Sequence, residues 1–131
     1  MARIVPPPIV LVIDDERDVR DLFTHVLEAD GFKCVQAPTA EHAWSLLERG
    51  LSPAAVLLDL RMPGMGGLGF LLQLRSDSRY ASLPVTIVTA DSYIAPTTQS
   101  AVDALGAQVS FKPLDIDQIL TLAHRMVGSP A

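Results

Sequence analysis

Five polar residues suited to a metal or phosphate site each stand at the end of an apolar segment. They are Asp14, Asp15, Asp59, Thr89 and Lys112. Carboxylates brought together repel one another, which raises their pKa values unless a cation compensates their charge. Mg²⁺, or Mn²⁺ in its place, suits oxygen ligands and often joins carboxylates to a phosphate. With a lysine and a hydroxyl nearby, such a cluster predicts a site where a carboxylate attacks a phosphoryl group.

Each of these residues alone has a simpler interpretation. Asp14 and Asp15 could begin a helix, Asp59 could form a turn, and the Thr89 hydroxyl could bond to the backbone. Lys112 alone would be an exposed charge. The phosphate-site interpretation therefore depends on all five residues converging in the fold.

The elements that would position them alternate along the chain. Apolar runs without alternation predict strands buried on both faces, at Ile9–Ile13, Phe32–Gln36, Ala54–Leu58, Pro84–Val88 and Val109–Phe111. Helical patterns follow them, from Val19 to Leu27, after a Thr39 cap, over Leu68–Leu74, near Thr97–Leu105 and over Asp115–Val127. This order predicts an α/β fold, a doubly wound five-stranded parallel sheet with five helices. Ligands of such sheets bind at the carboxyl ends of the strands, where the five residues fall.

Composition limits the class of protein. The 131 residues suit one domain with an aliphatic core, because 49% are apolar and 5% are aromatic. The formal net charge is −5 without a Lys/Arg cluster, which argues against direct DNA binding. No apolar run approaches the roughly 20 residues that cross a membrane. One cysteine, Cys34, cannot form an internal disulfide, which favours a reducing, cytoplasmic compartment.

The chain resembles the receiver domains of two-component response regulators from about Ile9 to Val127. Four segments carry the resemblance: Val12–Glu16, Leu57–Met65, Val88–Ala90 and Phe111–Pro113. The resemblance implies a flavodoxin-like (βα)5 fold in which Asp59 is the phosphoacceptor. It also implies that Asp14, Asp15 and Asp59, with the backbone carbonyl of Arg61, hold Mg²⁺.

The resemblance implies roles for the remaining residues as well. Thr89 and Lys112 would contact the phosphoryl oxygens, Ala90 would leave space for them, and Pro113 would follow a cis peptide bond. Phosphate would come from a sensor histidine kinase or a histidine phosphotransfer protein. Thr89 would then move toward the phosphoryl group, and binding to an unidentified downstream protein would change. Receivers often pair through the fourth helix, fifth strand and fifth helix, which implies a homodimer surface.

Two departures from the family pattern concern the switch and a loop. Val109 stands three residues before Lys112, where the family usually has Tyr or Phe, and the segment 106–112 is one residue short. We therefore expect phosphorylation without the family's usual aromatic rotation. Gly66 and Gly67 stand where the family usually has Asp-Gly, which we expect to affect loop and helix capping only.

Arg61 and Asp91 occupy variable positions two residues after the acceptor and two after the threonine. We expect both to border the phosphoryl site. If they pair over Asp59, they would restrict the attacking water and slow dephosphorylation. If they are two exposed side chains, their pairing has little effect.

Two other classes of function stay open. A receiver-like docking module without phosphate turnover agrees with Val109 but not with the complete set of five site residues. A metal-dependent phosphatase with an aspartyl nucleophile would need Asp-x-Asp on its first strand, whereas Asp14 and Asp15 are adjacent. We expect residues 1–131 to form a single receiver domain, with an N-terminal lead over 1–8, a core over about 9–127 and a tail over 128–131. Met1 favours a natural start, and both a stand-alone regulator and an excised domain remain open.

Overall fold

The computed structural model describes residues 6–128, so the first five residues of the expected lead and the last three of the expected tail lie outside it. Strands and helices alternate throughout. They are β1 (Ile9–Ile13), α1 (Arg17–Ala29), β2 (Lys33–Ala37), α2 (Ala40–Glu48), β3 (Ala55–Asp59), α3 (Gly66–Arg75), β4 (Val85–Thr89), α4 (Pro96–Ala104), β5 (Gln108–Phe111) and α5 (Ile116–Val127). The predicted elements are confirmed with ends shifted by up to two residues. The helix α1 extends two residues beyond each predicted end, and α3 begins two residues before Leu68.

All five strands are parallel and pair in the order β2-β1-β3-β4-β5. The predicted doubly wound α/β fold is confirmed. After β1 the chain adds β2 on one side and then crosses to add β3 on the other. The crevice between the carboxyl ends of β1 and β3 is therefore the place where this topology leaves room for a ligand.

Apolar side chains on the two faces of the sheet form two core layers. Leu11 and Ile13 pack on the side of α2, α3 and α4. Val10 and Val12 pack on the side of α1 and α5. Because both faces are covered, β1, β3 and β4 are almost wholly buried, which explains why their sequences show no alternation. These strands give the site a rigid base.

Local signals fix three of the helix ends. The Thr39 hydroxyl accepts a hydrogen bond from the His42 backbone N–H at 3.0 Å, so the predicted cap of α2 is confirmed. Gly31 has a φ of +94° after the end of α1, in the left-handed region that glycine tolerates. At α5, Asp115 and Gln118 form a reciprocal capping box.

An aromatic cluster joins α2 to α3 and to the segment before β4. The Trp44 ring packs edge-on against Phe70 and Tyr80, with centroid separations of 6.2 and 5.8 Å. Tyr80 precedes β4, so the cluster lies toward the amino ends of the strands, opposite the edge where Asp59 ends β3.

No helix within residues 6–128 has the length and apolar character needed to cross a membrane.

Candidate functional site

Three aspartates meet in the crevice between β1 and β3. Asp14 follows the last residue of β1, and Asp59 is the last residue of β3, its hydrogen-bonded neighbour. One carboxylate oxygen from each of Asp14, Asp15 and Asp59 lies within 4.8 Å of the others. Asp14 is 2% exposed and Asp59 7%, whereas Asp15 is open to solvent. The cluster is therefore buried on one side and accessible on the other.

Asp14 and Asp15 do not cap α1. The N-cap residue is Glu16, and its side chain makes no capping hydrogen bond. The Asp14 carboxylate instead accepts a hydrogen bond from the Glu16 backbone N–H at 2.9 Å, which turns the chain between β1 and α1. That turn places Asp14 and Asp15 toward the crevice.

Lys112 reaches the cluster from the end of β5. Its backbone N–H donates to the Thr89 carbonyl at 2.7 Å, which continues the pairing of β4 with β5. Its Nζ lies 2.7 Å from Asp14 Oδ2 and 3.7 Å from Asp59 Oδ1, and the side chain is 12% exposed. Lys112 is thus a largely covered counter-charge, and the exposed-charge interpretation is wrong.

Burial and neighbouring charges raise the pKa of Asp59 from 3.8 to about 6. Desolvation contributes most, followed by repulsion from Asp14, and Asp15 adds to it. Lys112 opposes this rise, as does a hydrogen bond from the Arg61 backbone. Burial alone would lower the pKa of Lys112, but its hydrogen bond to Asp14 and the surrounding carboxylates raise it overall.

The arrangement fits a divalent cation of the Mg²⁺ type. The available ligands are carboxylate oxygens, which hard cations prefer. The three aspartates bring these oxygens close together, and Asp15 is open to solvent. A bound cation would reduce the repulsion between carboxylates that helps to raise the pKa of Asp59.

Thr89 and Ala90 close the side of the crevice next to β3. Thr89 is buried at the end of β4, where its hydroxyl accepts a hydrogen bond from the Asp91 backbone N–H at 3.2 Å. Ala90 follows at an exposed position with only a methyl side chain. The Lys112–Pro113 peptide bond is cis, as expected.

Arg61 and Asp91 form an ion pair between the loops that follow β3 and β4. The Arg61 side chain is 76% exposed and that of Asp91 23%. The two side chains therefore pair, and the effect of this pair on the phosphoryl site stays a prediction.

Glycines let the loop after β3 approach the Asp59 backbone. A Cβ on Gly67 would lie 2.2 Å from the Asp59 carbonyl oxygen, and Gly66 has a φ of +72°. Met65, the N-cap residue of α3, makes no side-chain capping bond. The glycine pair thus allows close packing at Asp59, and this end of α3 is held without a side-chain cap.

The register of β4 and β5 places Phe111 beside Thr89. Val109 pairs with Ile87, packs against the core layer of α2, α3 and α4, and is half-buried. Phe111 pairs with Thr89 and is 48% exposed. Position 109 therefore offers only a small aliphatic side chain, and the aromatic ring of β5 lies next to the threonine at the open end of the strand.

The residues that hold Asp14 from the side of α1 were not predicted from the sequence. Arg20 Nη1 donates to the Asp14 carbonyl oxygen at 2.7 Å, and Arg20 Nε donates to Gln36 Oε1 at 3.2 Å. The sequence does contain a signal for Arg20. It stands three residues before Phe23 and seven before Leu27, so it lies on the apolar face of α1. A charged residue on such an apolar stripe requires a polar partner.

Comparison with known proteins assigns the family. Residues 10–124 match the family model of the response regulator receiver domain. The chain belongs to this family, whose members are signalling domains of two-component systems. Domains of this family bind Mg²⁺ at an acidic pocket and interact with histidine kinases or phosphotransfer proteins.

The similar proteins include longer regulators and single receivers. Response regulator Rre1 of Synechocystis is 36% identical over 123 residues, which are 93% of this chain and 52% of that protein. The DNA-binding transcriptional regulator NtrC of Escherichia coli is 36% identical over 92% of this chain and 25% of its own length. The chain thus spans about half or a quarter of these relatives. A solved response regulator receiver protein from Pseudomonas putida has a TM-score of 0.83 at 28% identity, covering 93% of this chain and 99% of that one.

Proposed function

We propose that Asp59 accepts a phosphoryl group from the phosphohistidine of a sensor histidine kinase or a histidine phosphotransfer protein. The observation that carries this proposal is the Asp59 carboxylate itself, clustered with two further aspartates and 3.7 Å from the Lys112 ammonium. A pKa of about 6 leaves this carboxylate mostly ionised near neutral pH, which its role as nucleophile requires.

In the proposed reaction a carboxylate oxygen of Asp59 forms a bond to phosphorus. The bond from phosphorus to the donor imidazole nitrogen breaks, and its electron pair stays on that nitrogen. Lys112 neutralises charge on the phosphoryl oxygens, and the Thr89 hydroxyl donates a hydrogen bond to one of them. The small Ala90 side chain leaves room for the group beside β4.

Asp14, Asp15 and Asp59 would hold Mg²⁺ together with the backbone carbonyl of Arg61, and Mn²⁺ would substitute for it. The bound ion supplies positive charge to the phosphoryl oxygens and lowers the repulsion among the carboxylates. Of the three aspartates only Asp15 is exposed, so the ion would enter the cluster from the side of Asp15.

The proposed output is a change in partner binding rather than turnover of an external substrate. Thr89 would turn toward the phosphoryl group and lose its bond with the Asp91 N–H. Phe111, its neighbour in register, is exposed on the face of α4, β5 and α5. We propose that this face rearranges and contacts the downstream protein or a second copy of the chain.

Phosphorylation by a small donor tests this function. Incubation with Mg²⁺ and acetyl phosphate should add the mass of one phosphoryl group to wild type and to Asp103→Asn, whose side chain is exposed on α4. Asp59→Asn should gain no mass, and a chelator should prevent the gain in wild type and in Asp103→Asn. Intact-protein mass spectrometry reads the result. A wild-type chain without mass gain would instead favour the docking module without phosphate.

The Arg61–Asp91 ion pair should slow loss of the phosphoryl group. We expect Arg61→Ala to lose phosphate faster by about twofold to fivefold, because an exposed ion pair contributes only up to about 1 kcal/mol. The decay of the mass gain after removal of the donor gives the rate. Asp91→Ala should match Arg61→Ala, and the double variant should be no faster than either. Unchanged decay in both single variants would show that the pair has no such role.

A further inference from the structure

Arg20 on α1 connects three elements around the cation site. Its Nη1 donates to the backbone carbonyl oxygen of Asp14 at 2.7 Å, and its Nε donates to Gln36 Oε1 at 3.2 Å. The residue is half-buried. A planar guanidinium that donates in two fixed directions holds its acceptors in a defined geometry, which an ammonium does not do.

Gln36 is itself oriented by α1. Its side-chain nitrogen donates to Thr24 Oγ1 at 2.9 Å and to Asp21 Oδ1 at 3.1 Å. These two bonds leave the amide oxygen facing Arg20. The end of β2 therefore supports the guanidinium in one orientation.

Four polar groups of Asp14 make hydrogen bonds, and the fourth is the backbone carbonyl bound by Arg20. Its N–H donates to the Ala37 carbonyl at 3.2 Å, and its carboxylate oxygens accept from Glu16 and Lys112. Its carbonyl belongs to the peptide unit that leads into Asp15. Across residues 6–128, no hydrogen bond or ion pair holds the Asp15 carboxylate. The place of that carboxylate therefore depends on the backbone before it.

We propose that Arg20, supported by Gln36, is a positioning residue for the cation site. By holding the Asp14–Asp15 peptide unit it keeps the Asp15 carboxylate beside Asp14 and Asp59. This inference rests on the proposed function for the nature of the cation. Arg20 bonds to the backbone of Asp14 and to the side-chain amide of Gln36. It therefore acts by positioning the carboxylates.

Charge and orientation have opposite effects here, so the test must separate them. A guanidinium near the carboxylates repels an incoming cation, and removing its charge would strengthen cation binding. Loss of its two directed hydrogen bonds would weaken cation binding. Arg20→Lys keeps the charge and loses the directed pair of bonds, which isolates the positioning effect.

Calorimetric titration with Mg²⁺ alone should show a Kd about tenfold higher for Arg20→Lys than for wild type, a loss typical of residues that orient metal ligands. Arg17→Lys is the matched control, since Arg17 lies on the same helix with its side chain 83% exposed. Gln36→Leu should raise the Kd about threefold, because it removes the support and leaves the bond to Asp14 possible.

Phosphorylation by acetyl phosphate gives a second measurement. In Arg20→Lys the Mg²⁺ concentration for half-maximal rate should rise with the Kd, while the rate at saturating Mg²⁺ stays at the wild-type value. A residue that merely stabilises the fold would lower the thermal midpoint and leave both quantities unchanged.

The outcomes separate this inference from the proposed function. A wild-type chain that binds Mg²⁺, with Arg20→Lys within twofold of it, overturns the positioning role alone. A wild-type chain that binds no Mg²⁺ overturns both. If Arg20→Lys does not fold, Gln36→Leu decides: a raised Kd supports the positioning role, and an unchanged Kd overturns it.

Discussion

Replacing Lys112 by methionine is expected to slow phosphoryl transfer to Asp59 about a hundredfold, the usual cost of removing one preorganised charge-stabilising donor. The Lys112 ammonium lies 2.7 Å from Asp14 and 3.7 Å from Asp59, so methionine leaves the clustered carboxylates without the positive charge beside them. Because Lys112 lowers the pKa of Asp59, its loss should also raise that pKa and reduce the ionised nucleophile. The rate of mass gain with acetyl phosphate at saturating Mg²⁺ measures the effect.

The chain offers a matched control, since Lys33 is its other lysine. Lys33 is exposed at the start of β2, at the end of the sheet opposite the site. Lys33→Met removes the same charge and should change the rate less than twofold, because exposed charges at such distances are screened by salt. Equal rates for wild type and Lys112→Met would contradict a role for Lys112 in phosphoryl transfer.

Asp59→Asn is expected to have a free energy of unfolding about 3 kcal/mol higher than wild type at about pH 8 without metal, since one pKa unit corresponds to about 1.4 kcal/mol. The pKa of Asp59 is about 6 in the folded chain against an ordinary value of 3.8. Its buried charge therefore destabilises the metal-free fold. Urea denaturation in the presence of a chelator measures the difference.

The sign of this effect sets its pH dependence. Below about pH 4 the folded and unfolded states both hold the proton, so aspartate at this position has no charge penalty. As the pH rises from about 4 to 6, the unfolded chain ionises first and the wild type loses stability relative to Asp59→Asn. Above this window the difference should be constant.

Added Mg²⁺ should stabilise the wild type more than Asp59→Asn, because it binds the folded carboxylate cluster. Asp103→Asn, which removes an exposed carboxylate on α4, should stay within about 0.5 kcal/mol of wild type at every pH. A metal-free Asp59→Asn protein less stable than wild type at high pH would contradict the idea that Asp59 is under electrostatic strain.

The fold and the convergence of the site could be predicted because both follow from periodicity and strand ends. Unbroken apolar strands require cover on both faces, and parallel strands bring their carboxyl ends to one edge. Asp59 and Thr89 end β3 and β4, and Asp14 and Lys112 directly follow β1 and β5, so their convergence could be predicted without knowledge of side-chain packing.

Contacts between side chains far apart in the sequence could not be predicted in the same way. The bonds from Arg20 to Asp14 and Gln36 depend on the helical phase of α1 against β2, which periodicity fixes only to within a residue or two. The pair between His124 on α5 and Asp30 after α1, with Nε2 2.8 Å from Oδ2, depends on how two helices cross. Neither residue type nor spacing indicates such an approach.

The place of the aromatic cluster decides how the protein can be observed in solution. Its single tryptophan, Trp44, lies among Phe70 and Tyr80 toward the amino ends of the strands, whereas the carboxylates lie at their carboxyl ends. Tryptophan emission should therefore change when α2 and α3 separate, and stay nearly constant when a cation or phosphate enters the crevice. Fluorescence at this residue is thus a clean signal for unfolding across all the variants above, and occupancy of the crevice must be followed by mass or heat.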